Sequence, residues 1–200
     1  EISCFYSDTI ASHILNPSAH FEYEMILVTD GSAQVQIHDR TYPLQRGSLL
    51  FISRLEQHQF CIVKEPYCRY VLSVSSDLLL SHLNEPRLAS IFMQRPEYFS
   101  HVVQLNEEQL AYFLPFFQKS ADEYEKQPDF YTLQSITLLL SILISLYRLY
   151  PNAFPMEDSS SLSAAVLNAQ IYVSRHFNRK LTLQEIADQC FLNRHSLSLA

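Results

Sequence analysis

The run Leu181-Thr182-Leu183-Gln184-Glu185-Ile186-Ala187-Asp188-Gln189-Cys190-Phe191-Leu192-Asn193-Arg194-His195-Ser196-Leu197-Ser198 reads as two short helices joined by a tight turn. Thr182 is a good N-cap, and Glu185 stands three positions on, the spacing of a capping box. Leu183, Ile186, Ala187 and Cys190 fall on one helical face, with Ala187 small enough for a second helix to cross closely. Asn193 caps the next helix, which buries Leu197. Upstream, residues 163–176 are expected to be helical and to pack through Val166, Ala169, Ile171, Tyr172 and Val173. Phe177-Asn178-Arg179-Lys180 then stops that helix. Helix, short turn, helix with a small residue at the crossing is the arrangement that delivers a helix to the major groove of DNA.

Residues 151–163 combine Pro151, Asn152, Pro155, Glu157, Asp158 and a run of serines, a composition that reads as a linker. Before it, residues 130–150 form an apolar helix crossed by a polar seam of Gln134, Thr137, Ser141, Ser145 and Arg148. The seam argues for a helix packed on several sides, not a membrane span. Asn106, with Gln109 three residues later, starts another helix that runs past Pro115 towards Lys126. These two helices either cover the open end of the preceding domain or pair two copies of the chain. Short helices are expected at 77–83 and 86–94, and a strand at 101–105.

Residues 22–75 change character. Short β-favouring runs at 23–28, 33–37, 48–52, 60–63 and 70–74 are separated by turn signals at Asp30-Gly31, Asp39-Arg40 and Arg46-Gly47. Closely spaced short strands predict a sandwich or barrel. Asp30-Gly31 is the best local hairpin signal, because glycine reaches positive φ without steric cost. The fold class expected is α+β: a β-barrel or jelly roll, a helical segment and a small all-α domain.

Composition narrows the function. The net charge of −7 divides into +2 from Leu162 onward and −9 before it, the sign expected of an acidic sensor followed by a nucleic-acid reader. Cys4, Cys61, Cys68 and Cys190 contain no C-x-x-C pair, which suits a reducing cytosol. No signal peptide is read at the N-terminus. With Gly31 and Gly47 as the only glycines, no phosphate-binding loop can be built. No G-x-S-x-G elbow or H-E-x-x-H helix is present.

The stretch from Leu181 to Ser198, with Ile171-Tyr172-Val173-Ser174-Arg175-His176-Phe177 before it, resembles the first helix-turn-helix of the AraC/XylS family of transcriptional regulators. The resemblance covers the first third to half of that DNA-binding domain, so a truncated helix-turn-helix is expected. It implies DNA contacts from Thr182, Asn193, Arg194, His195, Ser196, Ser198 and Leu199. Leu199 stands where relatives often carry arginine.

His20-Phe21-Glu22-Tyr23-Glu24, Gly47-Ser48-Leu49-Leu50-Phe51-Ile52 and His58 resemble the two half-motifs of a cupin barrel. Ser18 takes the place of a first histidine and Ser53 that of a usual proline. The resemblance implies a cupin-like sensor that binds a small polar effector, for example a sugar. His20, Glu24, His38, His58 and Tyr70 are the pocket candidates, with His20 and Glu24 sharing strand parity. A bland alternative pairs Glu24 with Arg69. No cofactor or metal is expected, and His20, Glu24 and His58 are the ligands if one is held.

The organisation expected is an effector-sensing barrel over 1–105, a helical dimerisation segment over 106–150, the linker over 151–163 and a partial helix-turn-helix domain over 164–200. The function expected is a cytoplasmic, homodimeric, effector-controlled regulator that reads operator DNA and is not an enzyme. A metal-dependent cupin enzyme with a helical extension is the alternative.

Overall fold

The computed structural model describes residues 1–9, 15–83, 85–155, 168–169, 172–173, 176 and 178–189. Two long strands dominate it. β2 (Glu22–Ile37) and β5 (His58–Ser75) run antiparallel along nearly their whole lengths. On the other edge of β2, β3 (Arg40–Gln45) and β4 (Ser48–Ile52) lie end to end, β3 against its C-terminal half and β4 against its N-terminal half. β1 (Ile2–Thr9) pairs with β5, and β6 (Val102–Gln104) pairs with β4. The result is one six-stranded antiparallel sheet in the order β1-β5-β2-β4-β6, with β3 beside β2.

The hairpin expected at Asp30-Gly31 is corrected. The chain does not reverse there, and the expected strands at 23–28 and 33–37 are one strand. Its register against β5 shifts between Val28 and Asp30, between Asp30 and Ser32, and between Ser32 and Ala33. Gly31 supplies the positive φ of 70° that a bulge needs. The reversal comes later, at His38-Asp39, where Ile37 pairs with Arg40 and His38 takes φ 54°. The runs at 60–63 and 70–74 likewise belong to the single strand β5.

The bulge changes which residues face inward. Ile26 and Val28 precede it, and Ala33, Val35 and Ile37 follow it; all five join one buried cluster. Strand parity therefore switches across the bulge, and the same face stays apolar. β5 switches too, with Ile62 on one side and Tyr67 and Val71 on the other. Leu44, Leu50 and Ile52 complete the cluster. Both halves of the long strands thus meet around one interior, as they must when a sheet curls upon itself into a barrel. A strap closes it: Leu15 N–H donates to Phe60 O at 2.8 Å, Ser18 bridges to His58, and Leu55 N–H donates to His20 O at 2.7 Å.

The outer face of the sheet carries the larger core. Tyr23, Met25, Leu27, Phe51, Leu72 and Val74 pack against four helices. These are α1 (Ser76–His82), α2 (Pro86–Met93), α3 (Glu107–Lys126) and α4 (Tyr131–Leu149). α3 starts at the expected capping box: Gln109 N–H donates to Asn106 Oδ1 at 2.8 Å, and Asn106 N–H to Gln109 Oε1 at 2.9 Å. It continues through Pro115. Among the described residues α4 is the one helix long and apolar enough to cross a membrane. Ile136, Leu139, Ile142, Leu143 and Leu146 are instead buried in the outer core. Packing does not stop at the 105/106 boundary.

The linker reading is corrected at its start. Pro151–Ala153 form a 3-10 turn, and Phe154 is buried against Tyr147. Residues 156–163 lie outside the described residues. In the tail, Asn168, Ala169, Tyr172, Val173 and His176 are helical, and α5 (Leu183–Gln189) follows with Ala187 buried. Thr182 Oγ1 accepts from Glu185 N at 3.2 Å, which is the capping half of the box. The Glu185 carboxylate turns instead to Tyr172 and Arg179.

A methyl group on Gly31 would stand 2.2 Å from Pro66 O and 2.6 Å from Lys64 O, backbone atoms of β5. Gly31→Ala is therefore expected to cost roughly 3 kcal/mol, from left-handed strain plus overlap. For a chain of this size that lowers the thermal midpoint by about 6–12 °C. An unchanged midpoint in a thermal melt would contradict the bulge.

Candidate functional site

The parity switches put a few polar side chains onto the inner face. Glu24 precedes Ile26 and Val28 in the inward series of β2, and Ser73 follows Val71 on β5. His58 leads into Phe60 and Ile62 from the other end of β5. Curling brings these ends together, and the strap adds His20 and Ser18. Candidate donor atoms of His20, Glu24 and His58 all lie within 4.8 Å of one another.

The hydrogen bonds define the protonation pattern. His58 Nδ1 is 2.9 Å from Glu56 O, and a carbonyl only accepts, so Nδ1 carries the proton. His58 Nε2 then accepts from the Ser18 hydroxyl at 2.9 Å. His20 repeats the pattern, with Nδ1–H donating to Glu22 O at 3.0 Å. Its Nε2 lies 3.1 Å from Glu24 Oε2, yet this buried nitrogen has no hydrogen-bond partner. The contact is one of charge rather than direction. Ser73 donates to the other oxygen, Glu24 Oε1, at 3.0 Å.

The Glu24 contact lifts the His20 imidazolium above the ordinary histidine range, with burial opposing it. Burial pushes the Glu24 carboxyl up, but His20 and the Ser73 hydroxyl outweigh it, so the group ends below the ordinary range. Arg69 is not its partner. That guanidinium donates to Thr9 Oγ1 at 3.0 Å and lies over the Tyr67 ring.

His38, at the exposed tip of the β2–β3 turn, shares a pocket of about 170 Å³ with His58, Pro17, Gln36, Gln57 and Gln59. Three amides and two imidazoles offer paired donors and acceptors suited to hydroxyl-bearing ligands. Tyr70 stands apart from these residues. It pairs with Leu27 on the outer face and packs against Phe117 and Tyr6.

A buried carboxylate, Glu56, was not anticipated from the sequence. Glu56 accepts from Ser53 N at 2.8 Å, Arg95 Nε at 3.0 Å and His101 Nε2 at 2.9 Å. His101 Nδ1 is 3.0 Å from the Tyr42 hydroxyl, and Arg95 lies over the Phe99 ring. Burial pushes the Glu56 carboxyl up, but His101 and Arg95 hold it down to about 2. The partners lie 39 and 45 residues away, beyond the reach of any local spacing. This network ties the segment after α2 to the barrel.

Of the residues expected to touch DNA, Thr182 is exposed before α5, where it caps the helix. Asn193, Arg194, His195, Ser196, Ser198 and Leu199 lie outside the described residues. Arg179, one of the tail's cations, is engaged by Glu185 and by the Tyr172 hydroxyl.

Residues 2–143 match the family model of the AraC-like ligand binding domain. No curated protein matches the chain. Among solved structures, apo ToxT K231A from Vibrio cholerae strain SCE256 aligns at a TM-score of 0.53 and 12% identity, covering 99% of this chain and 73% of that one. Wild-type ToxT from the same strain, with an unsaturated fatty acid bound, aligns at 0.50 and 11% identity, covering 100% and 71%. The AraC-like transcriptional activator CuxR aligns at 0.45 and 12% identity, covering 89% and 59%. At such identities the two ToxT alignments speak for the fold alone, and the family rests on the match over residues 2–143. The chain belongs to the AraC family, as a transcriptional regulator with a ligand-sensing domain.

Proposed function

We propose that this regulator binds a small polar effector at the barrel mouth, through His20, Glu24, His38 and His58, and thereby controls how its helix-turn-helix tail reads operator DNA. The observation that carries the reading is the polar cluster set against an otherwise apolar barrel interior. Buried polar groups without full partners are costly, and a polar ligand supplies partners. The amide-lined pocket beside His38 favours a hydroxyl-rich molecule such as a sugar. An unsaturated fatty acid occupies one ToxT structure; in this chain the imidazoles and amides favour the polar class. The tail contributes DNA contacts from Thr182, Asn193, Arg194, His195, Ser196, Ser198 and Leu199.

Two copies of the chain are proposed to pair through α3 and α4, as reading repeated half-sites requires. On α4, Leu133 is 56% and Ile144 39% exposed, with Leu140 half-buried between them. Phe130, just before the helix, is 81% exposed. Apolar side chains in such a stripe are better covered than left in water.

A thermal-shift panel of neutral sugars and fatty acids is expected to yield a polar ligand that stabilises the chain. His38→Ala should weaken that ligand by about tenfold, the loss of one or two hydrogen bonds. Selection of bound fragments from a genomic library should then enrich a site with two half-sites, at an occupancy that the same ligand alters. Stabilisation by fatty acids alone, or no enriched site, would count against the reading.

Sedimentation at micromolar concentration is expected to show a dimer that Ile144→Asp returns to monomer. A monomeric wild type, or a dimer indifferent to the substitution, would rule out this face.

A further inference from the structure

α4 carries two apolar faces. Ile136, Leu139, Ile142, Leu143 and Leu146 are buried in the outer core. On the other side, Phe130, Leu133, Thr137, Leu140, Ile144 and Tyr147 follow one another at alternating spacings of three and four residues. That spacing makes the seam of a helix that packs lengthwise against another helix. Leu133, Thr137 and Ile144 are exposed along it, and Leu140 and Tyr147 are half-buried.

The two ends of the seam are complementary. At the C-terminal end it opens into a cleft of about 170 Å³, lined by Glu85, Arg87 and Leu88 at the start of α2 and by Ile144, Tyr147 and Arg148. Clefts that hold small molecules run to about 300–1,000 Å³, so this one has room for a single side chain. At the N-terminal end stands Phe130, 81% exposed and held at φ 66°. That left-handed conformation is uncommon for a bulky residue. A turn formed for its own sake would use glycine or asparagine there, so the turn does not explain the aromatic ring. Nor can Phe130 fill the cleft of its own protomer. The 19 residues of α4 lie between them, about 28 Å along the axis.

We propose that two copies of the chain pair antiparallel along α4, each seating its Phe130 in the other's cleft between α2 and α4. This rests on the pairing through α3 and α4 put forward above and gives it a register. A two-fold axis presents the same patch twice, so one partner satisfies both the knob at one end and the socket at the other. With Phe130 against the partner's Tyr147, the same register sets Leu133 against the partner's Ile144 and Thr137 against the partner's Leu140. It also brings Asp129 to the partner's Arg148. Neither of these charges has an ion-pair partner among the described residues. A parallel pairing would set like against like at every position and leave both clefts empty. The seat also connects to the barrel mouth. Arg95 closes the last turn of α2 by donating to Ile91 O and Gln94 O at 2.9 Å each, while it holds Glu56. Through Leu88 and Arg95, α2 joins the contact between copies to the barrel.

Disulfide trapping reads the register directly. Leu133→Cys and Ile144→Cys, carried on separate, differently tagged whole chains and mixed, are expected to cross-link the two tags on mild oxidation. Either variant alone is expected to cross-link no more than the wild type, because like positions then stand well beyond the roughly 7 Å between Cα atoms that a disulfide spans. Sedimentation supplies the second arm. Phe130→Gly removes the knob and suits the left-handed turn, so the fold is kept, which circular dichroism checks. Its dimer dissociation constant is expected to rise at least about thirtyfold. A dimer that cross-links through Leu133→Cys alone, or that Phe130→Gly leaves unchanged, would overturn the seat while leaving a pairing through these helices in place. A wild type that stays monomeric would overturn the pairing and the seat together.

Discussion

The bulge around Gly31 is the constraint on which the rest depends. A strand of sixteen residues with strict two-residue alternation would turn half of its apolar side chains outward when the sheet bends. The extra residue lets Ile26 and Val28 share an interior with Ala33, Val35 and Ile37. Gly47 makes the matching adjustment on the other edge, at φ 83°, where its N–H donates to Val28 O at 2.9 Å. Because β2 and β5 both switch parity, Glu24 at one end and His58 at the other face the same space. Without the switch one of them would sit on the outer face, among the helices.

The mouth holds two carboxylates, Glu56 buried and Glu24 half-buried, that the fold treats in opposite ways. Glu56 receives bonds from a backbone amide, a guanidinium and an imidazole, a full set for its two oxygens. Such saturation makes a structural clamp, since breaking one partner leaves the others buried and unpaired. Glu24 receives one hydroxyl and one undirected imidazole contact. Incomplete satisfaction at a half-buried position on the inner face is the mark of a place kept for something else. That contrast, more than the presence of histidines, separates the candidate site from its scaffold.

Much of this was legible in the sequence where the signals are local. Asn106 with Gln109 and Pro86 at a first turn mark helix starts, because caps are decided within a few residues. His20 and Glu24 were read as sharing strand parity, but His20 lies in the strap before β2 and reaches Glu24 from there. What failed was non-local. Asp30-Gly31 announces positive φ, which serves a hairpin or a bulge equally, and only the continuous partner β5 decides between them. Phe154 sits in linker-like composition, yet Tyr147 and the outer core bury it. Tyr70 looked available for the pocket until its pairing with Leu27 placed it on the other face. Glu56, Arg95 and His101 have no spacing that links them.

The most direct measurement is the tautomeric state of the two inner histidines, read from long-range proton–nitrogen correlation spectra of the labelled, metal-free chain. With both strands switched in parity, His58 is expected as a neutral ring protonated at Nδ1, its Nε2 accepting from Ser18. His20 is expected to hold its second proton to higher pH than an ordinary histidine, because of its contact with Glu24. A His58 protonated at Nε2, or a His20 that titrates as a free histidine and ignores Glu24→Gln, would contradict the account.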